Sequence, residues 1–128
     1  RRALESELRL AIEKQQLIVH YQPIFDTEKN HIYASEALVR WQHPEKGLLS
    51  PFHFIELAEE LGLIADIGEF VLNTACDCAA SWHKSFDNAP SISVNISSMQ
   101  FQRDGFLESI ENALNKSGLP AEKLILEK

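Results

Sequence analysis

The chain has 128 residues, 45% apolar and 24% charged, the composition of an ordinary globular protein with room for one domain and a real core. Its formal net charge of −7 argues against an electrostatic binder of nucleic-acid polymers, and it means that an anionic ligand needs local help from a metal ion or a placed arginine. No apolar run approaches the ~18 residues that a membrane-spanning helix needs, and no signal peptide is visible.

Residues 3–16 set Leu4, Leu8, Ala11 and Ile12 at helical spacing, which predicts an amphipathic helix. "LIVHYQPIF" reads as a strand punctuated by Pro23, and "DTEKN" as a turn. "HIYASEALVRWQ" alternates and reads as a second strand, so the two form an antiparallel pair. "HPEKGLLSP" is expected to be a loop, with Ser50 capping a helix that has Pro51 at its first position. In that helix Phe54, Leu57, Ala58 and Leu61 share a face, and Gly62 is placed to end it. A longer helix is predicted over roughly 65–84 on the stripe Ile67, Val71, Ala75, Cys78 and Trp82, broken by Asn88, Ala89 and Pro90.

Cys76 and Cys78 lie two apart on that helix and point to different sides, so they cannot easily bridge; a reducing, cytoplasmic setting fits. "SISVNIS" is a short strand with Ile92, Val94 and Ile96 on one side and Ser93, Asn95 and Ser97 on the other. "FLESIENALNKSG" is a helix with Phe106, Ile110 and Leu114 in line and Gly118 as its stop, and "KLILE" is the next strand. The chain opens on Arg1-Arg2, its only methionine is Met99, and its last strand has no stop signal, so it is expected to be an excised piece.

Strands that alternate with helices predict an α/β fold with three parallel strands and one antiparallel strand at the start. In an α/β barrel, functional residues gather at the carboxyl ends of strands. Asn95 and Glu127 are near such ends, and Glu36 and Arg40 lie in the middle to late part of theirs.

Glu36, Leu38 and Arg40, two apart, should point the same way. A carboxylate buried there without a partner is unfavourable. One reading is a Glu36–Arg40 ion pair on the solvent side of an edge strand. Asn95 could cap the following loop, and Glu127 could be merely exposed. Together, two carboxylates and an amide make an oxygen-rich set that suits Mg²⁺ or Mn²⁺ rather than zinc. Gln22 could contact a ligand through its amide or support a turn. The five histidines show no metal-binding spacing, and the glycines are too scattered for a phosphate loop. Ser97 and Ser98 suggest a loop start rather than a catalytic triad, and Trp41 and Trp82 read as packing residues.

"EALVRW" resembles the signature of the EAL family, the bacterial cyclic diguanylate (cyclic di-GMP) phosphodiesterase domain. "VHYQPIFD", "GLLSPFHFIELAEELGLI", "SVNIS" and "LILE" follow that family's order, so the resemblance runs from about residue 16 to residue 128. It implies a modified TIM-type barrel whose first strand is antiparallel to the rest, here present only as its amino-terminal half. It implies that Glu36, Asn95 and Glu127 bind a divalent metal, Mg²⁺ or Mn²⁺. By the same resemblance Arg40 holds a ligand phosphate, Leu38 lies close to the nucleotide, and Gln22 contacts the ligand. The reaction implied is hydrolysis of one phosphodiester bond of cyclic di-GMP to the linear dinucleotide by metal-assisted attack of water.

Family barrels run to ~250 residues. Residues 1–16 are therefore expected to lead in from an upstream sensor or diguanylate cyclase (GGDEF) domain, and residues 17–128 to be an EAL domain cut after its fourth strand. The family motif continues after Glu127 with Ile-Thr-Glu-Ser, whereas here only Lys128 follows. The paired aspartates, the lysine and the later glutamate of the family site lie beyond this chain. Glu56 stands where many members have proline, a neutral change for a helix. The piece by itself is expected to be inactive, not to bind metal tightly, and to form a homo-oligomer through exposed half-barrel edges. The alternative is a non-catalytic cyclic di-GMP-binding or protein-interaction module from a degenerate EAL domain.

Overall fold

The computed structural model describes residues 2–128. Helix α1 (Arg2–Ala11) leads into strands β1 (Leu17–Asp26) and β2 (His31–His43), and a short β3 (Gly47–Leu49) follows. A 3₁₀ turn (Pro51–His53), α2 (Ile55–Glu60) and α3 (Ile64–Ser85) precede β4 (Ser91–Asn95). Next come α4 (Ser98–Gln102), α5 (Phe106–Ser117), a 3₁₀ turn (Ala121–Lys123) and β5 (Leu124–Glu127). The sheet order is β1-β2-β4-β5, with β3 also paired to β2. β1 is antiparallel to β2, whereas β2, β4 and β5 run parallel, as the alternation of strands and helices requires.

The core lies between the sheet and the helices. Ala37 and Trp41 of β2 and Ile92 and Val94 of β4 pack there against Leu57, Ala58, Ile67, Val71, Leu72, Ala75 and Ala79. Leu8 and Ala11 of α1 belong to the same cluster. Trp41 is wholly buried, meets Phe54 edge to face at 5.7 Å, and donates its indole N–H to Gln16 Oε1 at 3.0 Å. Truncating a ring in such a position costs about 3–5 kcal/mol. His43, also buried, ties α1 to the sheet. Its Nδ1 accepts the backbone N–H groups of Glu45 and Lys46, which leaves Nε2 facing Glu7 Oε2 at 2.7 Å.

Four expectations need correction. The first helix stops at Ala11 rather than running to residue 16, because Gln15 takes a left-handed conformation (φ 57°) and Gln16 turns to meet Trp41 and Gln42. The segment 43–51 is not all loop: Gly47, at φ +78°, reverses the chain so that Leu48 and Leu49 pair with Gln42 and Trp41. Ser50 makes no side-chain cap. The helix expected from Pro51 is a 3₁₀ turn and a separate α2, interrupted where buried Phe54 leaves helical geometry. Finally, Ser97 begins a short helix rather than a loop, its hydroxyl accepting the Gln100 N–H at 3.0 Å.

Helix α3 lies where the stripe placed it, though its buried face is wider and takes in Leu72, Cys76, Ala79 and Ala80. Both cysteines are free. Gly62 and Gly118 adopt the positive φ expected of residues that end helices. Among the described residues, no helix is long and apolar enough to cross a membrane.

Candidate functional site

Alternation along each strand sends one set of side chains to the helices and the other to the opposite face of the sheet. On β4, Ile92 and Val94 join the core, so Ser93 and Asn95 occupy the other face. Parallel register pairs Glu36 with Ser93 and Asn95 with Glu127. Antiparallel register sets Gln22 opposite Glu36, His20 opposite Leu38, and Ile18 opposite Arg40. One face of four strands therefore carries Gln22, Glu36, Leu38, Arg40, Asn95 and Glu127, all six residues singled out in the sequence.

Two hydrogen bonds cross this face diagonally. Asn95 Nδ2 donates to Glu36 Oε2 at 2.9 Å, and Ser93 Oγ donates to Glu127 Oε1 at 3.0 Å. The strand between the two carboxylates thus supplies a donor to each. The Ile96 N–H donates to the Glu127 carbonyl at 2.6 Å, which fixes the end of β5 against β4. Each carboxylate keeps its second oxygen, and Asn95 keeps Oδ1, with no hydrogen bond among the described residues.

Arg40 does not pair with Glu36. Its Nη1 donates to the Val39 carbonyl at 2.8 Å, and the rest of the guanidinium fork remains available. The surface ion pair is therefore not what holds this strand face. Leu38 and Asn95 border a cavity of about 250 Å³ that also touches Pro51, Ile64, Gly68 and Gln100. Gln100 packs on Gly68 so closely that a Cβ there would collide with its side-chain amide.

Sequence reading sets Ser93 on the Asn95 side of its strand but gives it no role, and it passes over His20, which period two places with Gln22. Of the groups with displaced pKa values, Tyr21 and Cys76 lie apart from this set. Burial, then a hydrogen bond with Cys78, holds the Tyr21 hydroxyl well above its ordinary range. Burial, then the Asp77 charge, pushes the Cys76 thiol up to about 11.

Two carboxylates and an amide oxygen on one face of three adjacent strands are hard oxygen donors of the kind that Mg²⁺ and Mn²⁺ prefer. Among the described residues no three His, Cys, Asp or Glu side chains converge, so an amide must complete any three-donor set here. The residues present fit such an ion as part of its coordination sphere.

Comparison with known proteins agrees with this fold and assigns a family. The family model described as the EAL domain matches residues 5–127. The chain is 42% identical over 121 residues to the bifunctional diguanylate cyclase/cyclic di-GMP phosphodiesterase MucR of Pseudomonas aeruginosa, covering 94% of this chain and 18% of that protein. It is 42% identical over 124 residues to the signaling protein YkoW of Bacillus subtilis, covering 96% of this chain and 15% of that one. Among solved structures, the MucR phosphodiesterase in complex with c-di-GMP superposes with a TM-score of 0.95 at 41% identity, covering 98% of this chain and 51% of that one. The FimX EAL domain of Pseudomonas aeruginosa bound to c-di-GMP superposes with a TM-score of 0.82 at 25% identity, covering 94% and 48%. The chain thus spans about half of these solved structures and under a fifth of these two curated relatives. By fold, strand order and sequence, the chain belongs to the EAL domain family.

Proposed function

We propose that these residues form the amino-terminal part of a phosphodiesterase that opens cyclic di-GMP to the linear dinucleotide. The observation that carries the reading is that Glu36, Asn95 and Glu127 share one face of three adjacent strands, hydrogen-bonded as described. The likeness to a phosphodiesterase solved with c-di-GMP supports the same reading.

Glu36, Asn95 and Glu127 would hold a divalent cation, Mg²⁺ or Mn²⁺. Such an ion supplies Lewis acidity, activating a water and drawing off charge that builds on the phosphoryl group. The chain's own residues do the rest. Arg40 offers planar N–H donors to a phosphate oxygen. Leu38 gives an apolar contact beside it, and Gln22, opposite Glu36, an amide to the ligand. Asn95 orients Glu36 through its Nδ2 while keeping its oxygen for the cation.

With only two carboxylates in this set, the 128 residues alone are proposed to bind metal weakly and to lack turnover, the remaining ligands coming from further chain. Residues 1–16 are proposed to connect to an upstream sensor or diguanylate cyclase domain, in a cytoplasmic protein. The second reading is a cyclic di-GMP-binding module from a degenerate EAL domain, without turnover; the intact set Glu36, Asn95 and Glu127 favours the first.

Calorimetric titration with cyclic di-GMP, with and without Mg²⁺ or Mn²⁺, tests the reading. Binding that weakens on Arg40→Ala is expected. Absence of binding in a full-length, folded protein would overturn both readings. Turnover in the full-length protein that disappears in Glu36→Gln separates the enzyme from the binding module.

A further inference from the structure

Ser93 has a role that neither its sequence motif nor its neighbours' assignments give it. It is fully buried, yet it lies on the face that carries Glu36 and Glu127 rather than the face that carries Ile92 and Val94. A serine closed off from water must place its hydroxyl hydrogen on an acceptor. Its register neighbour on β2 is Glu36, one acceptor within strand distance, but a hydroxyl has only one hydrogen to give. It gives it to Glu127 Oε1, 3.0 Å away and two residues further along β5 than its register partner Ile125.

We infer that Ser93 is a positioning residue for Glu127: its hydroxyl locks one carboxylate oxygen so that the other is presented to a divalent cation. The inference rests on the proposed metal site and deepens it. Without this bond the Glu127 side chain can sample several rotamers, only some of which face Asn95 and Glu36. Asn95 does for Glu36 what Ser93 does for Glu127, so the strand between the two carboxylates sets both. Partners that orient a ligating group in this way typically matter by 10–100-fold in metal affinity.

The test is Mn²⁺ binding by the full-length protein, followed through the loss of the free-ion electron paramagnetic resonance signal, together with cyclic di-GMP affinity measured in EDTA. Ser93→Ala should weaken Mn²⁺ about 10–100-fold while leaving metal-free cyclic di-GMP affinity unchanged. Ser93→Thr, which keeps the hydroxyl, should restore most of the Mn²⁺ affinity. Circular dichroism melts identify a variant that fails to fold, and Ser93→Cys then serves as the second small replacement with a weak donor. Unchanged Mn²⁺ affinity in a folded Ser93→Ala, with Glu36→Gln still abolishing binding, overturns the inference and leaves the site standing. Equal Mn²⁺ binding by wild type and Glu36→Gln overturns the site itself, and the inference with it.

Discussion

Asn95 and Glu36, 59 residues apart in the chain, meet at 2.9 Å across the β2–β4 boundary. The bond runs diagonally, because the strict register neighbour of Glu36 is Ser93. Among the described residues it leaves the Asn95 oxygen and one Glu36 oxygen without a hydrogen bond, which is the arrangement a hard cation needs. Asn95→Ala should therefore abolish metal-dependent hydrolysis of cyclic di-GMP in the full-length protein. Its effect on stability should stay near 0.5–1.5 kcal/mol, because the bond lies in water's reach. Initial rates and a urea melt check both halves. A large loss of stability with retained activity would mean the bond is structural only.

Arg40 carries a different expectation. Its guanidinium is tethered by one bond to the Val39 carbonyl, so its plane is set before a ligand arrives. Removing it should weaken cyclic di-GMP binding by about 1.5–3 kcal/mol, the range for hydrogen bonds to charged groups. Arg40→Lys should recover only part of that, since an ammonium lacks the planar fork. Calorimetry on the three proteins orders them wild type, Lys, Ala; equal affinities would remove Arg40 from the ligand site.

Much of this was legible because β2 alternates cleanly. Period two alone put Glu36, Leu38 and Arg40 on one face, and the motifs around Asn95 and Glu127 supplied the rest. What failed to show has physical reasons. β3 is three residues long, too short for alternation to register. The break at Phe54 comes from that ring's burial against Trp41, a contact between separate elements that no local propensity encodes. Ser93 and Glu127 are 34 residues apart, and their hydrogen bond depends on β4 and β5 being neighbours. The Glu36–Arg40 ion pair was a reasonable reading of spacing, yet each group has a nearer partner.

The edges of the sheet lead to a prediction about assembly. Among the described residues β1 and β5 each have one strand neighbour, and Phe25, Ile32 and Tyr33 at the far end of the β1–β2 hairpin are exposed. Open edges beside apolar surface favour pairing with another chain. The 128-residue chain should sediment as a dimer or larger assembly, and charged substitutions at Phe25 and Ile32 should shift it toward monomer. Light scattering that shows a monomer across the concentration range would refute the expectation.

The last prediction concerns alkaline pH and lies apart from the metal site. Tyr21 and Cys76 both have pKa values raised by burial, Cys76 from 9.0 to about 11, and Tyr21 further still. A raised value means that the folded protein holds these protons more tightly than the unfolded chain does. The thiol's contribution is therefore complete below about pH 9, where both states are protonated, and is lost as pH rises from there through about 11, whereas the phenol's is lost only from about pH 10 upward. The melting temperature should fall over that window more steeply than lysine titration alone produces. Cys76→Ala should flatten the thiol's part of the slope, and Tyr21→Phe the phenol's part. The cysteine change will lower stability at neutral pH, because Cys76 is fully buried in the core and its removal leaves a small void. Slope and intercept thus move separately, and melts at pH values on both sides of the window distinguish them. A slope identical in wild type and both variants would show that neither group is held protonated by the fold.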